Sequence, residues 1–442
     1  MLDINIVGAG LAGSEAAWQA AERGIHVNLY EMRPGLMTPA HRTSSMAELV
    51  CSNSLGSDLV DRAPGLLKAE LRMLRSLILS CADETSVPAG GALAVGREAF
   101  ADAVTRRVEN HPRISVHREQ VTRLPEQTAT VIATGPLTSA SLAAELALLA
   151  GKEHLYFYDA MAPIVTMDSV DMARAFRASR YDRGEGDYIN CPMDRDEYEC
   201  FVDQLLAAET IPLHDFEREN RQFFEACLPV EELARRGRDA LAFGPLKPMG
   251  LTDPRSGTRP HAVVQLRQDN LAGTLYNLVG FQTNLKWSEQ KRVFALIPAL
   301  ENAEFVRFGQ MHRNTFLNSP SLLEPTMQCR SRPNLFFGGQ ITGTEGYIGS
   351  TCSGYIAGLN AARLMLGQPL LSLPAVTMMG ALCHYVARAE AEHFQPMKPN
   401  FGLMPPLDNP RKRKRERHQS FSQRALETMQ EFVESTSLLT FG

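Results

Sequence analysis

Residues 2–7 (LDINIV) form a short and nearly unbroken apolar run, the pattern of a strand buried on both faces. The run ends at Gly8-Ala9-Gly10-Leu11-Ala12-Gly13, and a helical pattern rich in small residues follows from Ser14. A second apolar run, His26 to Tyr30, closes on Glu31. Strand, glycine turn, helix, strand and acid, in that order, predict a dinucleotide-binding βαβ unit. Gly8 permits the tight turn, Gly10 lets the backbone approach a pyrophosphate, and Gly13 lets the helix pack closely on the sheet. Ala9, Leu11 and Ala12 complete a turn whose unpaired N–H groups face the phosphates at the helix N-terminus. Glu31 is placed to accept hydrogen bonds from a ribose hydroxyl pair.

The later pattern repeats the theme and interrupts it. A loop-rich stretch runs from Met32 to Ser57. Helical periodicity returns over 65–80 (GLLKAELRMLRSLILS) and over 97–109, where Phe100, Val104 and Val108 fall four apart. Strands are predicted at 114–117, 120–124 and 129–133, the last running into Thr134-Gly135-Pro136, a turn that leads a doubly wound sheet back to its nucleotide. Residues 137–304 mix helices and strands with Pro/Gly turns, and then the first pattern resumes. Leu335-Phe336-Phe337-Gly338-Gly339 reads as a buried strand entering a glycine turn, and 339–365 runs into a helix with small residues on one face. A strand, turn and helix this late bring a helix N-terminus to a flavin ring. The expected fold is therefore α/β: a two-segment Rossmann-like FAD-binding domain (1–136 and 305–442) with an inserted α+β domain (137–304). A basic run and a helix over about 420–435 close the chain.

Composition narrows the class. The 442 residues are 44% hydrophobic and 21% charged, ample for two or three cores. No apolar run reaches the ~18 residues of a membrane span, and the chain enters a strand at once without a signal-peptide pattern. Eight cysteines are scattered without metal-ligand spacing. A cytoplasmic protein with free thiols, no metal and no membrane partner is expected. The net charge of −5 gives no global sign of nucleic-acid binding; positive charge that meets RNA must be local. Three clusters qualify: Arg411-Lys412-Arg413-Lys414-Arg415-Glu416-Arg417, the group Arg235, Arg236 and Arg238, and Arg177, Arg180 and Arg183.

Two thiols stand out by context. Cys51 lies in Val50-Cys51-Ser52-Asn53-Ser54-Leu55-Gly56, just beyond the first βαβ unit, where the carboxyl edge of the sheet gathers ligands. Cys227 lies two residues before Pro229 and the acidic start of a helix, where a thiol gains thiolate character. The plain alternative for either is a small buried hydrophobe.

The segments GAGLAGSEAAW, TPAH, VCSNSLG, GLLKAELR, VPAGGALAV, FFEACLPVEELARRG, GPLKPMGL, AVVQLRQ, VGFQTNLKW, MHRNT and GGQITGTEGY occur in this order, within a resemblance that covers residues 1 to about 406. Together they resemble the folate- and FAD-dependent tRNA uracil-C5 methyltransferase family, which makes ribothymidine in the T-loop of tRNA. The resemblance implies that a one-carbon unit passes from methylenetetrahydrofolate, via reduced FAD, to C5 of a uridine. NADH or NADPH then recharges the flavin. It implies that Cys227 is the thiolate attacking uracil C6, because C5 is a poor nucleophile until that adduct forms. Cys51 is implied in removal of the C5 proton, and His312, in MHRNT, in stacking against the folate ring. Tyr347, with Gly339, falls in the flavin-side segment. Since the target base is paired in folded tRNA, it must be flipped out. One departure is visible: an acid and Arg commonly follow VPAGGALAV in the family, whereas Gly96-Arg97 stands here, losing a cap for the next helix. The same chemistry on ribosomal RNA and a small-molecule flavin oxidoreductase are the alternatives.

Overall fold

The computed structural model describes residues 2–150, 155–160, 162–182, 186–211, 228–309, 311–409, 411–436 and 438–439. A five-stranded parallel sheet organises the first body, in the order Leu335–Phe337, Ala129–Ile132, Asp3–Val7, His26–Tyr30 and Ile114–His117. Its central pairing sets Ile4 against Val27 and Ile6 against Leu29, all four buried. Every neighbour is parallel, so the strand ends that carry ligands gather on one edge. No helix among the described residues is long and apolar enough to cross a membrane.

Two helices cover one another on this sheet, and small residues decide how closely. Leu11–Glu22 leaves the first strand, and Tyr347–Met365 follows the last. A side-chain carbon added at Gly354 would lie 2.3 Å from the Ala12 carbonyl oxygen, so the two backbones touch where no larger residue fits. The single helix expected over 65–80 is two, Ala63–Met73 and Leu77–Glu84. The break falls at Arg75, whose φ is +56°, and Ser76 caps the second helix by accepting from the Leu79 N–H. Buried Glu15 then receives the Ser76 hydroxyl at 2.6 Å and the Leu77 and Ile78 amides. The strand expected at 120–124 is absent: Glu119, Gln120 and Val121 turn away to line the nucleotide cleft. The final helix is longer than its periodicity suggested, Lys414–Thr436, because the basic run winds into its first turns.

A six-stranded sheet organises the second body, in the order Phe176–Ala178, Tyr188–Met193, Ala262–Gln268, Leu275–Leu278, Ile164–Thr166 and Phe305–Arg307. All its pairs are antiparallel. Helices Arg195–Ala207 and Trp287–Phe294 pack on it around Phe201, Phe281 and Phe294. Asp194 and Glu197 form a complete capping box on the first of these helices. The core of each body is a separate hydrophobic cluster. Gly96, the departure noted above, sits where the bodies meet: a side-chain carbon there would lie 2.8 Å from Leu271 Cγ. The missing cap thus makes room for the inserted body.

Candidate functional site

The glycine turn folds as its spacing demands. Gly8 has φ +98° and donates its N–H to Tyr30 O at 2.8 Å. An added carbon on Gly13 would stand 1.7 Å from Gly8 O. These contacts seat the helix Leu11–Glu22 directly on the turn, with Gly10 at its N-cap. A cleft with about 1040 Å³ of empty space, its open mouth included, runs along this edge. Gly8, Gly10, Leu11, Ala12, Glu31, Thr134, Gly135, Gly339 and Tyr347 all line it. Ala9 contributes its N–H, donated to Glu31 Oε2 at 3.0 Å.

Glu31 is more deeply engaged than its motif role suggests. Its Oε1 accepts from the Arg33 backbone N–H and Nε, and its Oε2 from Arg33 Nη2 and the Ala9 amide. Those four donors fill the acceptor capacity of a carboxylate. A ribose hydroxyl pair must therefore share or displace the Arg33 contacts. Burial pushes the Glu31 carboxyl up, but Arg33 and the two amides outweigh it and hold it below the ordinary glutamate value. Arg33 also reaches Glu48 at 3.2 Å, and Glu48 in turn fixes the Arg42 and Thr43 amides. This network folds the long loop after the second strand into one wall of the cleft. His41 stands in that wall, 2.6 Å from Thr38 Oγ1, and burial with the Arg33 charge lowers its pKa to about 4.

Cys51 meets Tyr347 behind the wall of the same cleft. Tyr347 begins the helix Tyr347–Met365, and its hydroxyl accepts the Cys51 amide at 2.9 Å and the Ser52 amide at 3.2 Å. Both lone pairs of that oxygen are then in use, so its own proton is directed to Cys51 Sγ, 3.2 Å away. Burial, and then the neighbouring Cys51, push the phenol well above its ordinary value, so it remains a donor. A second cavity opens on the other side of this pair, lined by Cys51, Ser54, Gln282, Glu345, Tyr347 and Lys398 among others. Tyr347, Val50, Pro136, Leu137 and Gln340 line both spaces. The nucleotide cleft and the thiol cavity are thus adjoining rooms with a tyrosine in the wall between them.

The remaining expected residues are dispersed or undescribed. Cys227 lies outside the described residues, although the helix that follows it, Val230–Arg235, is in place behind Pro229. His312 is on the strand Met311–Phe316, paired in register with Asp159. Arg235 approaches Glu232 at 3.9 Å, and Arg236 closes the same helix. Arg411 and Lys412 are exposed, Arg413 pairs with Glu416, and Lys414 opens the last helix. Arg415 pins the run to Asp61 at 3.2 Å.

A family model described as glucose inhibited division protein A matches residues 3–369. The chain belongs to the glucose inhibited division protein A family. Within it, the chain is 58% identical over 435 residues to the methylenetetrahydrofolate–tRNA-(uracil-5-)-methyltransferase TrmFO of Desulforamulus reducens, covering 98% of each. It is also 58% identical to the protein of that name from Bacillus cytotoxicus, over 97% of this chain and 98% of that one. Among solved structures, Aquifex aeolicus GidA superposes with a TM-score of 0.69 at 15% identity, covering 99% of this chain and 74% of that one. That likeness establishes the Rossmann-like fold with its inserted body.

The glucose inhibited division protein A fold implies a bound FAD, and the cleft fits one. An added carbon at Gly10 or Gly135 meets nothing within 4 Å, so the turn presents bare backbone to the cleft, while Gly13 closes it from behind. Sequence reasoning missed Arg33, Glu48 and His41 in the wall, and Arg97, Arg267 and Arg307 around Cys51. Arg33 had a signal, two positions beyond the acid of the motif. Arg267 had only its place in a quoted segment, Arg97 its place just beyond one, and Arg307 no signal at all, since their partners lie far away in the chain.

Proposed function

We propose that this chain is a folate- and FAD-dependent tRNA (uracil-5-)-methyltransferase: a one-carbon unit from methylenetetrahydrofolate reaches C5 of a T-loop uridine and ends as a methyl group. The observation that carries this reading is identity at 57–58% along nearly the whole length with enzymes of that name. The thiol cavity beside the nucleotide cleft agrees with it. FAD, reduced by NADH or NADPH, supplies the electrons that turn methylene into methyl.

The chain's own residues then have definite tasks. The turn Gly8, Ala9, Gly10, Leu11, Ala12, Gly13, with Thr134, Gly135 and Gly339, holds the dinucleotide, and Glu31 with Arg33 shapes the wall beside it. Tyr347 separates the dinucleotide from the thiol cavity. Cys227 attacks uracil C6 as thiolate, which makes C5 enolate-like and nucleophilic. Cys51, hydrogen-bonded to Tyr347, accepts the C5 proton once the new C–C bond has formed. His312 offers a face for the folate ring. Arg235 and Arg236, close in sequence behind Cys227, and Arg411, Lys412, Arg413 and Lys414 meet the RNA backbone, whose phosphates supply most of the affinity.

The test uses purified protein, unmodified tRNA transcript, NADH or NADPH and methylenetetrahydrofolate labelled in its methylene carbon. Label in a T-loop uridine, abolished by Cys227→Ala, supports the reading. Nicotinamide consumed with no label in the tRNA, or label that enters only ribosomal RNA when that is offered beside the transcript, overturns it.

A further inference from the structure

The segment Leu49–Asn53 is gripped from the inserted body and from the start of one helix, at nearly every residue. Arg97, at the start of the helix Arg97–Glu109, donates Nη1 to Leu49 O. Arg307, on the strand Phe305–Arg307, donates Nη2 to Val50 O at 2.6 Å. Arg267, on the strand Ala262–Gln268, donates Nη2 to Ser52 Oγ at 2.6 Å and Nε to Asn53 Oδ1 at 2.9 Å. Asn53, wholly buried, donates in turn to Val95 O and Gln268 O. Three guanidinium groups therefore converge on five residues, with Cys51 in the middle.

Their charges are unevenly matched. Arg97 is held in a two-point pair by buried Asp269, at 2.9 and 3.1 Å. Arg267 is 7% exposed, yet among the described residues its hydrogen bonds to Ser52, Asn53 and Asn277 are all to neutral oxygens, and the Tyr188 phenol that also meets it is pushed above its ordinary value by burial, so it supplies no anion. Asp269 acts on it at longer range but is already committed to Arg97. Glu48, the carboxylate in the same loop, is held by Arg33. A buried cation without a close anion is costly. Cys51 is the ionisable group that the gripped segment itself carries, and a thiolate there would meet the cost.

We infer that Arg267, backed by the Arg97–Asp269 pair, is a positioning residue that both fixes the Cys51 loop and holds the Cys51 sulfur as a thiolate ready to accept a proton. The Tyr347 hydroxyl directed at the sulfur works in the same sense. The inference rests on the proton-accepting role of Cys51 stated above. It gives the inserted body a share in the chemistry: its sheet supplies the charge that tunes a thiol in the nucleotide-binding body.

The test reads the thiol itself. The full-length flavoprotein is alkylated with iodoacetamide from about pH 6 to about pH 10, and modification of the Cys51 peptide is followed by mass spectrometry. Arg267→Gln is expected to raise the midpoint by about one pH unit and slow alkylation near neutrality roughly tenfold. Arg267→Lys, which keeps the charge, is expected to retain the wild-type midpoint. Asp269→Asn, which releases the Arg97 charge, is expected to lower it. Opposite shifts from Gln at 267 and Asn at 269 exclude simple loosening of the loop, and the second variant serves if the first does not fold. Equal midpoints in all variants, or upward shifts in both, overturn the inference. No folate or RNA is present, so this outcome is independent of whether methyl transfer is the reaction.

Discussion

The nucleotide cradle and the thiol loop adjoin, yet they are built on opposite principles. The glycine turn of the cradle is local: Gly13 closes on Gly8, and Ala9 binds Glu31 across 22 residues of chain. The thiol loop is assembled from afar. Cys51 meets Tyr347 across 296 residues, Ser52 meets Arg267 across 215, and Val50 meets Arg307 across 257. A local device tolerates nothing inside it but depends on little outside. A long-range device survives small local change and fails when either body shifts. Tyr347 is among the residues that line both spaces, and it carries the hydroxyl that holds the thiol loop.

Breaking the local side should give the largest effect. Gly13→Val drives a branched side chain into Gly8 O, and we expect essentially complete loss of bound flavin with destabilisation of at least about 3 kcal/mol. Flavin absorbance per protein and urea unfolding check both. Cys227→Ala, at the proposed nucleophile, should lower methyl transfer at least about a thousandfold. Its flavin content should stay at the wild-type level, as seen by the same absorbance. Tyr347→Phe removes an acceptor shared by two amides and a donor to sulfur. At about 1–3 kcal/mol for such a loss, we expect roughly tenfold slower turnover with flavin retained. Retention of full activity would show that the two spaces are not coupled through this hydroxyl.

The remaining expectation shows only at acid pH. His41 has its folded pKa lowered to about 4, first by burial and then by Arg33. The unfolded chain takes up this proton near the ordinary histidine value and the folded protein does not. The stability linked to His41 is therefore present above about pH 6.5 and lost as pH falls toward about 4. His41→Gln should flatten that part of the stability profile relative to wild type, measured by thermal unfolding at stepped pH.

What could be read in advance follows the same division. The βαβ unit, the strand before Thr134 and the late strand and helix announce themselves because each rests on near neighbours and on residue types with few substitutes. The helix break at Arg75 was hidden because its cause is Glu15, sixty-one residues before Ser76 in the chain. The strand expected at 120–124 gave way where Gln120 and Val121 line the cleft instead of extending the sheet. Cys51 was legible as a thiol in a suggestive loop, and by resemblance as a proton carrier. Nothing near it in the sequence pointed to Arg267 or Arg307. Glu31 carried the opposite lesson: its place in the motif was plain, but its commitment to Arg33 and the Ala9 amide was not.

The most direct test of this division of labour is a single comparison of Cys51→Ala with wild type, scoring bound flavin and methylene label transferred to tRNA in the same preparation. The account predicts flavin at wild-type stoichiometry with label transfer reduced by at least about a hundredfold. Label transferred at the wild-type rate, or flavin lost along with activity, would contradict it.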